Sequence, residues 1–423
     1  MDFEKYSEIF FKRFRIFGAN PIYKKITNTK YPGSSSEIVQ DKFSLIIVVC
    51  ILVIYWCGIV MSFFIEHKGN DKISAISNII QLILNGIAFS TIYINSMVKF
   101  RCFYNIITGF QVIDENLQGV GKSIRYQNSL AISRSILITF GTYLLFSITF
   151  DCYVTVIRYN MTPMWYWVVA TLPSIIYSLS LLQAMFIISW ISTRCAMINS
   201  ILRLDGRAKF LRNLPIVPIV SHSNSFKGNM KQSLDLITKI YTIMSDVCQL
   251  SQIIDSFLGP AFLATITAIF AVTSIQVYYI YVTSITMDRV AETSGFSIWS
   301  LLVSLNIVLM NIFLVIALTT ICERLNHQTM KILQNFSEMQ ISKEVPAELS
   351  IWLHPMISHM KLTAFGFFSI DYTMLCGFMT AIITYLVIFI QFYSIDPDHG
   401  NTNVIRGVGN TNQQVQTSMK VGR

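Results

Sequence analysis

Long apolar runs, separated by polar and charged segments, dominate the pattern of this chain. A helix needs about 20 residues to cross the hydrocarbon core of a membrane, and seven runs reach about that length. We therefore predict an all-α polytopic membrane protein with seven transmembrane helices, at 43–65, 77–98, 135–157, 165–193, 257–287, 296–322 and 371–394.

Two of the polar segments show helical spacing of their own. Before the fifth span, apolar residues recur every three or four positions, which predicts an amphipathic helix that continues into the span. The same spacing extends the sixth span and predicts another helix around 349–360, after Pro346. Such helices either lie on the membrane surface or form a cytosolic bundle that holds subunits together, and we favour the bundle. The residues of the first stripe are Met230, Leu234, Ile237, Tyr241, Met244 and Cys248.

Composition agrees with a membrane protein and excludes several other classes. Hydrophobic residues make up 53% of the chain and charged residues only 13%, about half of what a soluble domain carries. Disordered, collagen-like and nucleic-acid-packaging proteins need low hydrophobicity, a glycine period or dense basic runs, and none is present. The eight cysteines are scattered without a close pair, so a disulfide framework is not expected.

The distribution of Lys and Arg predicts the orientation. Of 32 basic residues, 25 lie in the segments 1–42, 99–134, 194–256 and 323–370. Basic segments normally stay in the cytoplasm, so we expect a cytoplasmic N-terminus and an extracellular C-terminus. The domain plan is then a cytoplasmic segment (1–42), spans one to four (43–193), a cytoplasmic segment (194–256), spans five and six (257–322), a cytosolic assembly region (323–370), the last span (371–394) and a disordered extracellular tail (395–423).

The chain contains two glycosylation sequons and several motifs that partly resemble those of enzymes. The sequon at Asn160 falls outside and is a candidate glycosylation site, whereas the one at Asn335 falls inside and is expected to go unused. Gly121-Lys122-Ser123 resembles the end of a phosphate loop but lacks its first glycine. His354 and His359 lack the glutamate of a zinc protease motif. We expect no enzyme, no cofactor and no metal site.

Polar and aromatic residues in the outer halves of five spans are the candidate ligand-binding residues. A polar group in hydrocarbon must pair or face water, and so by default indicates function. Aromatics at this depth also form a membrane-interface belt, and amides also join helices, so both alternatives stay open. The candidates are Asn78, Gln81, Asn85, Asp151, Tyr153, Trp165, Trp167, Gln276, Tyr279, Trp299 and Asn306.

A resemblance to a known family comes from the last span. It contains Thr384-Tyr385, five hydrophobic residues and Gln391-Phe392, similar to the signature of insect gustatory receptors. The preceding segment 363–371, TAFGFFSID, also resembles the one that leads into the last span of that family. The seven spans and the inverted orientation agree with this resemblance.

The resemblance implies a ligand-gated, non-selective cation channel whose last span lines a central pore. It implies a homotetramer, or a heteromer with related receptors, surrounded by membrane lipid, and no nucleic-acid partner. In that family the glutamine and the hydrophobic residue three before it form the narrow point, which here are Gln391 and Ile388. Their spacing with Thr384 independently places all three on one helical face. The alternative is that this face packs against neighbouring helices.

The predicted function is a gustatory receptor opened by a small tastant. Amides, a carboxylate and aromatic rings together suit a sugar, while the same rings could bind a bitter compound, so a bitter receptor is the alternative ligand class. A seven-helix receptor coupled to G proteins is a further alternative and would require the opposite orientation. A transporter is disfavoured because the chain shows no inverted repeat.

Overall fold

Eight α-helices and one short pair of antiparallel strands make up the part of the chain that this computed structural model describes. It describes residues 23–26, 37–40, 42–66, 72–121, 126–158, 164–212, 223–287, 294–341 and 360–395. The strands are β1 (Tyr23–Ile26) and β2 (Glu37–Gln40), which pair with Tyr23 opposite Gln40. Both strands lie in the segment 1–42, for which the sequence analysis made no prediction of secondary structure.

The helices follow one another along the chain, and the longest stretch between two of them separates Ile341 from Tyr372. A π-helical turn, Tyr153–Arg158, extends the fourth helix. The bounds are α1 (Lys42–Glu66), α2 (Lys72–Val98), α3 (Phe100–Gly119), α4 (Tyr126–Cys152), α5 (Met164–Arg212), α6 (Ser223–Met287), α7 (Ser294–Ile341) and α8 (Tyr372–Ile395).

Seven of these helices, all except α3, are long and apolar enough to cross a membrane. They coincide with the seven predicted spans, which confirms the fold class and shows a multi-pass membrane protein. A helix satisfies its own backbone hydrogen bonds, and this is why apolar runs of this length form helices in a bilayer.

Three helices extend far beyond the bilayer. α5, α6 and α7 contain 49, 65 and 48 residues. At 1.5 Å per residue each is more than about 70 Å long, over twice the thickness of the hydrocarbon core. α6 joins the predicted amphipathic helix and the fifth span without a break, and Pro260 lies within it. All three project at the end of the molecule that holds α3, here called the α3 end.

Helix α3 is the element that the sequence interpretation missed. It has too few apolar residues for a span, but those it has recur along one face, which is the pattern of an amphipathic helix. This face packs into the bundle at the α3 end, mainly against α6. Its buried residues are Phe103, Ile106, Ile107, Phe110, Ile113, Asp114 and Leu117.

A buried ion pair joins α3 to α5. Arg194 donates from Nε to Asp114 Oδ1 at 2.9 Å and from Nη2 to Oδ2 at 2.7 Å. Its Nη1 donates to the Trp190 carbonyl, and the guanidinium lies 5.0 Å from the centre of the Phe110 ring. Both charged side chains are only 4% exposed. Such two-point pairing fixes the angle between the helices as well as their distance.

Amides connect the other long helices at the same end. Asn199 on α5 donates to the carbonyl of Gln328 on α7 at 2.8 Å, and Asn335 donates to Asn199 Oδ1 at 3.1 Å. Asn116 on α3 donates to Asp246 on α6 at 3.1 Å. The α3 end is therefore a helical bundle in its own right, built within a single chain.

A tight turn at 360–371 sets the start of α8. The backbone N–H of Thr363 donates to Asp255 Oδ1 on α6 at 2.6 Å. Gly259 lets the turn approach α6 closely, because a Cβ there would lie 3.0 Å from the Phe365 backbone nitrogen. Phe365 itself has a φ of +56°, an uncommon conformation for a residue other than glycine. Contacts with α6 therefore hold a strained turn in place.

Asp371 closes this turn by capping α8. Its Oδ1 accepts the backbone N–H of Met374 at 2.9 Å, and its Oδ2 accepts the Ser369 hydroxyl at 2.6 Å. The Ser369 hydroxyl, together with the backbone N–H groups, lowers the pKa of Asp371. A carboxylate at this position also interacts favourably with the helix dipole, so the last span has a defined first residue.

Three predictions fall outside the described residues. They are most of the helix around 349–360, nearly all of the tail 395–423, and the sequon at Asn160.

Candidate functional site

A cavity of about 320 Å³ lies between five helices at the end of the bundle opposite α3. Residues from α2, α4, α5, α6 and α7 line it, and the π-helical turn after α4 contributes Thr155. The apolar part of the wall includes Leu82, Leu144 and Val272. The polar and aromatic part consists of Asn78, Gln81, Ser147, Asp151, Tyr166, Trp167, Thr171, Ser174, Tyr177, Gln276 and Asn311.

One carboxylate and one indole form a pair on the cavity wall. The Trp167 Nε1–H donates to Asp151 Oδ2 at 2.8 Å. This bond links the end of α4 to the first turn of α5 and satisfies one oxygen of the partly buried Asp151 carboxylate. An ionised carboxylate can only accept hydrogen bonds, so Asp151 offers a site for hydroxyl or amine donors of a ligand.

Five predicted ligand-binding residues line the cavity. Gln81 and Asn78 come from α2, Asp151 from α4, Trp167 from α5 and Gln276 from α6. These five polar and aromatic residues, which the sequence placed at one depth in several spans, thus line a single cavity. Whether they contact a ligand stays a prediction.

Three further predicted residues lie beside the cavity rather than on its wall. Tyr279 donates its hydroxyl to Asn78 Oδ1 at 2.8 Å, and Asn306 donates to the Ser147 hydroxyl at 2.6 Å. Both can therefore orient residues that do line the cavity. Asn85, one turn beyond Gln81, is completely buried, and neither its amide oxygen nor its amide nitrogen has a hydrogen-bond partner.

The remaining three predicted residues face outward. Tyr153, Trp165 and Trp299 are exposed and do not belong to the cavity lining. Trp299 packs against Phe150, with ring centres 6.1 Å apart. Their positions fit the membrane-interface belt that the sequence left open as the alternative.

The sequence interpretation did not single out Tyr177 and Asn311, which both line the cavity. The Tyr177 hydroxyl lies 3.4 Å from Asn311 Oδ1. Asn311 interrupts an apolar run of the sixth span, five residues after Asn306. The argument that selected Asn306 applies equally to Asn311. Asn311 lies deeper in the span, however, and the candidates were restricted to the outer halves of the spans.

A second concavity lies on the outside of α1 and α2. It is more open and larger, about 860 Å³, and its lining is almost entirely apolar, including Val53, Trp56 and Ile87. Both helices are transmembrane, so this groove faces the region of lipid chains. It lacks the converging polar groups of a specific ligand site.

The three predicted pore residues of α8, Thr384, Ile388 and Gln391, are exposed in the single chain. Most other positions of α8 are exposed as well, including Ile383, Tyr385 and Val387, so exposure does not single out one side of the helix. α8 packs on α6, where Phe270 lies 5.6 Å from the rings of both Phe378 and Tyr385. That Thr384, Ile388 and Gln391 line a pore stays a prediction.

Metal chemistry has no support in the described part of the chain. Among those residues, no group of three or more His, Cys, Asp or Glu side chains is arranged to hold a metal ion.

Comparison with known proteins supports a chemosensory assignment. A family model described as "7tm Chemosensory receptor" matches residues 11–395. A search of curated protein sequences found no significant match.

A solved structure of similar fold is that of an insect olfactory receptor. The olfactory receptor OR5 from Machilis hrabei in complex with eugenol aligns with a TM-score of 0.55 at 12% identity, over 91% of this chain and 98% of that one. Another structure of OR5 aligns with a TM-score of 0.44 at 14% identity, over 93% of this chain and 100% of that one. With the family model covering nearly the whole described membrane region, the chain belongs to the seven-transmembrane chemosensory receptor family.

Proposed function

We propose that this protein is a gustatory-type ligand-gated cation channel, opened by a small polar tastant that binds in the cavity between α2, α4, α5, α6 and α7. The observation that carries the proposal is the cavity itself, a largely apolar space with several converging polar side chains, at one end of a seven-span chemosensory receptor. The function requires neither a cofactor nor a catalytic step. The proposed complex contains four subunits, either identical or related.

The size and chemistry of the cavity favour a sugar. Its volume of about 320 Å³ is at the lower end of the range for small-molecule sites. Amides and hydroxyls can both donate to and accept from sugar hydroxyls, and the Asp151 carboxylate can accept from them. The rings of Tyr166 and Trp167 offer apolar faces. The similar olfactory receptor was solved with eugenol, so a small aromatic ligand is the second class to test.

Helix α6 can couple this cavity to the pore. Val272 and Gln276 of α6 line the cavity. On neighbouring turns of the same helix, Phe270 contacts α8 and Tyr278 lies 5.2 Å from the Phe389 ring. A shift of α6 on ligand binding would therefore move its contacts with the proposed pore helix. A ligand opens the pore only to the extent that it binds the open state more tightly.

The first test removes polar groups from the cavity wall. Replacing Gln81 with methionine or Asp151 with leucine should raise the half-activating concentration of a sugar several-fold, because the ligand loses hydrogen bonds without a large change in shape. The measurement is current through channels expressed in a cell without other receptors, using a panel of sugars and eugenol. Gln118→Met, on the exposed surface of α3, is the matched control. Normal sensitivity with normal surface expression would place the ligand elsewhere.

A second test concerns orientation. We propose that the α3 end is cytoplasmic, because the basic segments lie there. A cysteine introduced at Ser337, exposed near the end of α7, should resist a membrane-impermeant reagent until the membrane is permeabilised. Asn160→Gln should remove any glycan, while Asn335 is already hydrogen-bonded to Asn199 and should carry none. Labelling of Ser337→Cys from outside would reverse the orientation and favour the G-protein-coupled alternative.

A further inference from the structure

The inner end of the cavity contains an amide whose nitrogen has no partner. Asn311 lines the cavity and is only 1% exposed. Its Oδ1 faces the Tyr177 hydroxyl at 3.4 Å, whereas its Nδ2 has no hydrogen-bond partner in the protein. Burying an amide N–H₂ group without an acceptor is costly, so its presence requires a reason.

Two other buried polar side chains lie close to cavity-lining residues on their helices. Asn85 is one turn after Gln81 on α2, and Ser178 directly follows Tyr177 on α5. Both are completely buried, and both have side-chain atoms without a partner. Neither lines the cavity, so of the three only Asn311 is within reach of a molecule inside it.

The two ends of the cavity therefore offer opposite hydrogen-bonding groups. Asp151 and Trp167, near the ends of their spans, present a carboxylate that accepts hydrogen bonds. Asn311, which lies about five turns into α7 from its start at Ser294, presents N–H groups that donate. A bound molecule would meet an acceptor near the cavity mouth and a donor at its inner end.

We propose that Asn311 determines ligand specificity by donating from Nδ2 to an oxygen at the leading end of the ligand. This proposal rests on the function proposed above and adds the ligand's polarity and direction. The ligand carries an acceptor oxygen at its buried end and a hydroxyl at the end that faces Asp151. A sugar has both, since each hydroxyl can accept as well as donate. A molecule whose leading end is hydrocarbon leaves the amide unpaired and binds on the order of tenfold more weakly.

The decisive variant is Asn311→Leu, which keeps the branched shape and removes the donor. Because Nδ2 has no partner in the protein, the melting temperature of the purified variant without ligand should be no lower than that of the wild type. Asn311→Leu also removes the acceptor of the Tyr177 hydroxyl, so the melting temperatures are compared in a Tyr177→Phe background. The control is Thr319→Val, two turns deeper on α7, where a buried hydroxyl is already bonded to the Val315 carbonyl at 2.7 Å.

Binding is measured as the rise in melting temperature caused by D-glucose, D-fructose, sucrose or eugenol, which requires no channel opening. We expect Asn311→Leu to need about tenfold more of whichever probe stabilises the wild type, and Thr319→Val to need the wild-type amount. A lower melting temperature of Asn311→Leu without ligand, or unchanged binding, overturns the proposal. If a probe binds but evokes no current, the proposed channel function fails while the comparison of variants still decides the role of Asn311. If no probe stabilises the wild type, the proposed ligand class fails. In that case, a melting temperature of Asn311→Leu above that of the wild type would still support the proposal that the unpaired amide serves to bind a ligand.

Discussion

Replacing Ile388 with serine is expected to produce a channel that conducts without ligand. If four copies of Ile388 close the pore by excluding water, a small polar side chain removes the apolar constriction. The basal current should then approach the current that ligand evokes in the wild type. The measurement is single-channel recording in the absence of ligand, with surface expression checked in parallel.

The structure supplies a matched control for this experiment. Ile383 is exposed on α8 like Ile388 but lies about 140° around the helix from it. Ile383→Ser makes the same chemical change on a side that we expect to face lipid or a neighbouring helix, so it should not open the channel. Leu386, which is partly buried and turned away from Ile388, serves as a second control.

Gln391 separates conduction from ligand binding in the same recordings. It lies almost one turn beyond Ile388. In the proposed tetramer, the four Gln391 side chains would form a ring of amides around the pore and replace part of an ion's hydration. Gln391→Ala should change conductance or ion preference more than the half-activating ligand concentration. A silent Ile388→Ser channel at the cell surface, or a larger conductance effect at Ile383, would show that another side of α8 lines the pore.

The second large effect is expected at the ion pair between α3 and α5. Arg194→Leu leaves the Asp114 carboxylate buried without its partner, and breaking a buried pair in this way costs about 3–5 kcal/mol. We expect a strongly lowered melting temperature and little receptor at the cell surface. Fluorescence-detected thermal unfolding of the purified protein is the measurement. Arg203→Leu, at an exposed position of the same helix, should cause little change.

A double replacement distinguishes an unpaired charge from lost packing. Changing Asp114 and Arg194 together to leucine removes both charges, and apolar replacements of a buried pair are often close to neutral. The double variant should therefore recover much of the stability that Arg194→Leu loses. If the double variant is as unstable as Arg194→Leu, the stability comes from the hydrogen bonds of the pair, including the one from Arg194 to the Trp190 carbonyl.

The seven spans were predictable because their cause is local. Hydrocarbon cannot satisfy backbone N–H and C=O groups, so a run of about 20 apolar residues becomes a helix whatever surrounds it. That Thr384, Ile388 and Gln391 share one face of the last span could also be predicted, since residues four and seven apart lie on the same side of a helix. Helix α3 followed the same rule and was missed only because it lies between spans rather than in one.

Long helices were harder to delimit from sequence. α6 is a single helix from Ser223 to Met287, although the composition changes from polar to apolar along it. Composition indicates where water gives way to lipid, whereas helix ends depend on local backbone signals. Predicted spans of 257–287 and 296–322 therefore described the membrane part of helices that continue well into water.

The class of protein, its seven crossings and the family-like last span could all be inferred from the amino-acid sequence, because each depends on short-range composition or on a motif. Which polar residues share a cavity became clear only from the packed helices. Asn306 and Asn311 look alike in sequence, yet Asn306 donates to Ser147 while the Asn311 nitrogen meets no partner. The rotation of each helix about its axis is set by packing against its neighbours, and this rotation determines whether an amide joins two helices or faces the cavity.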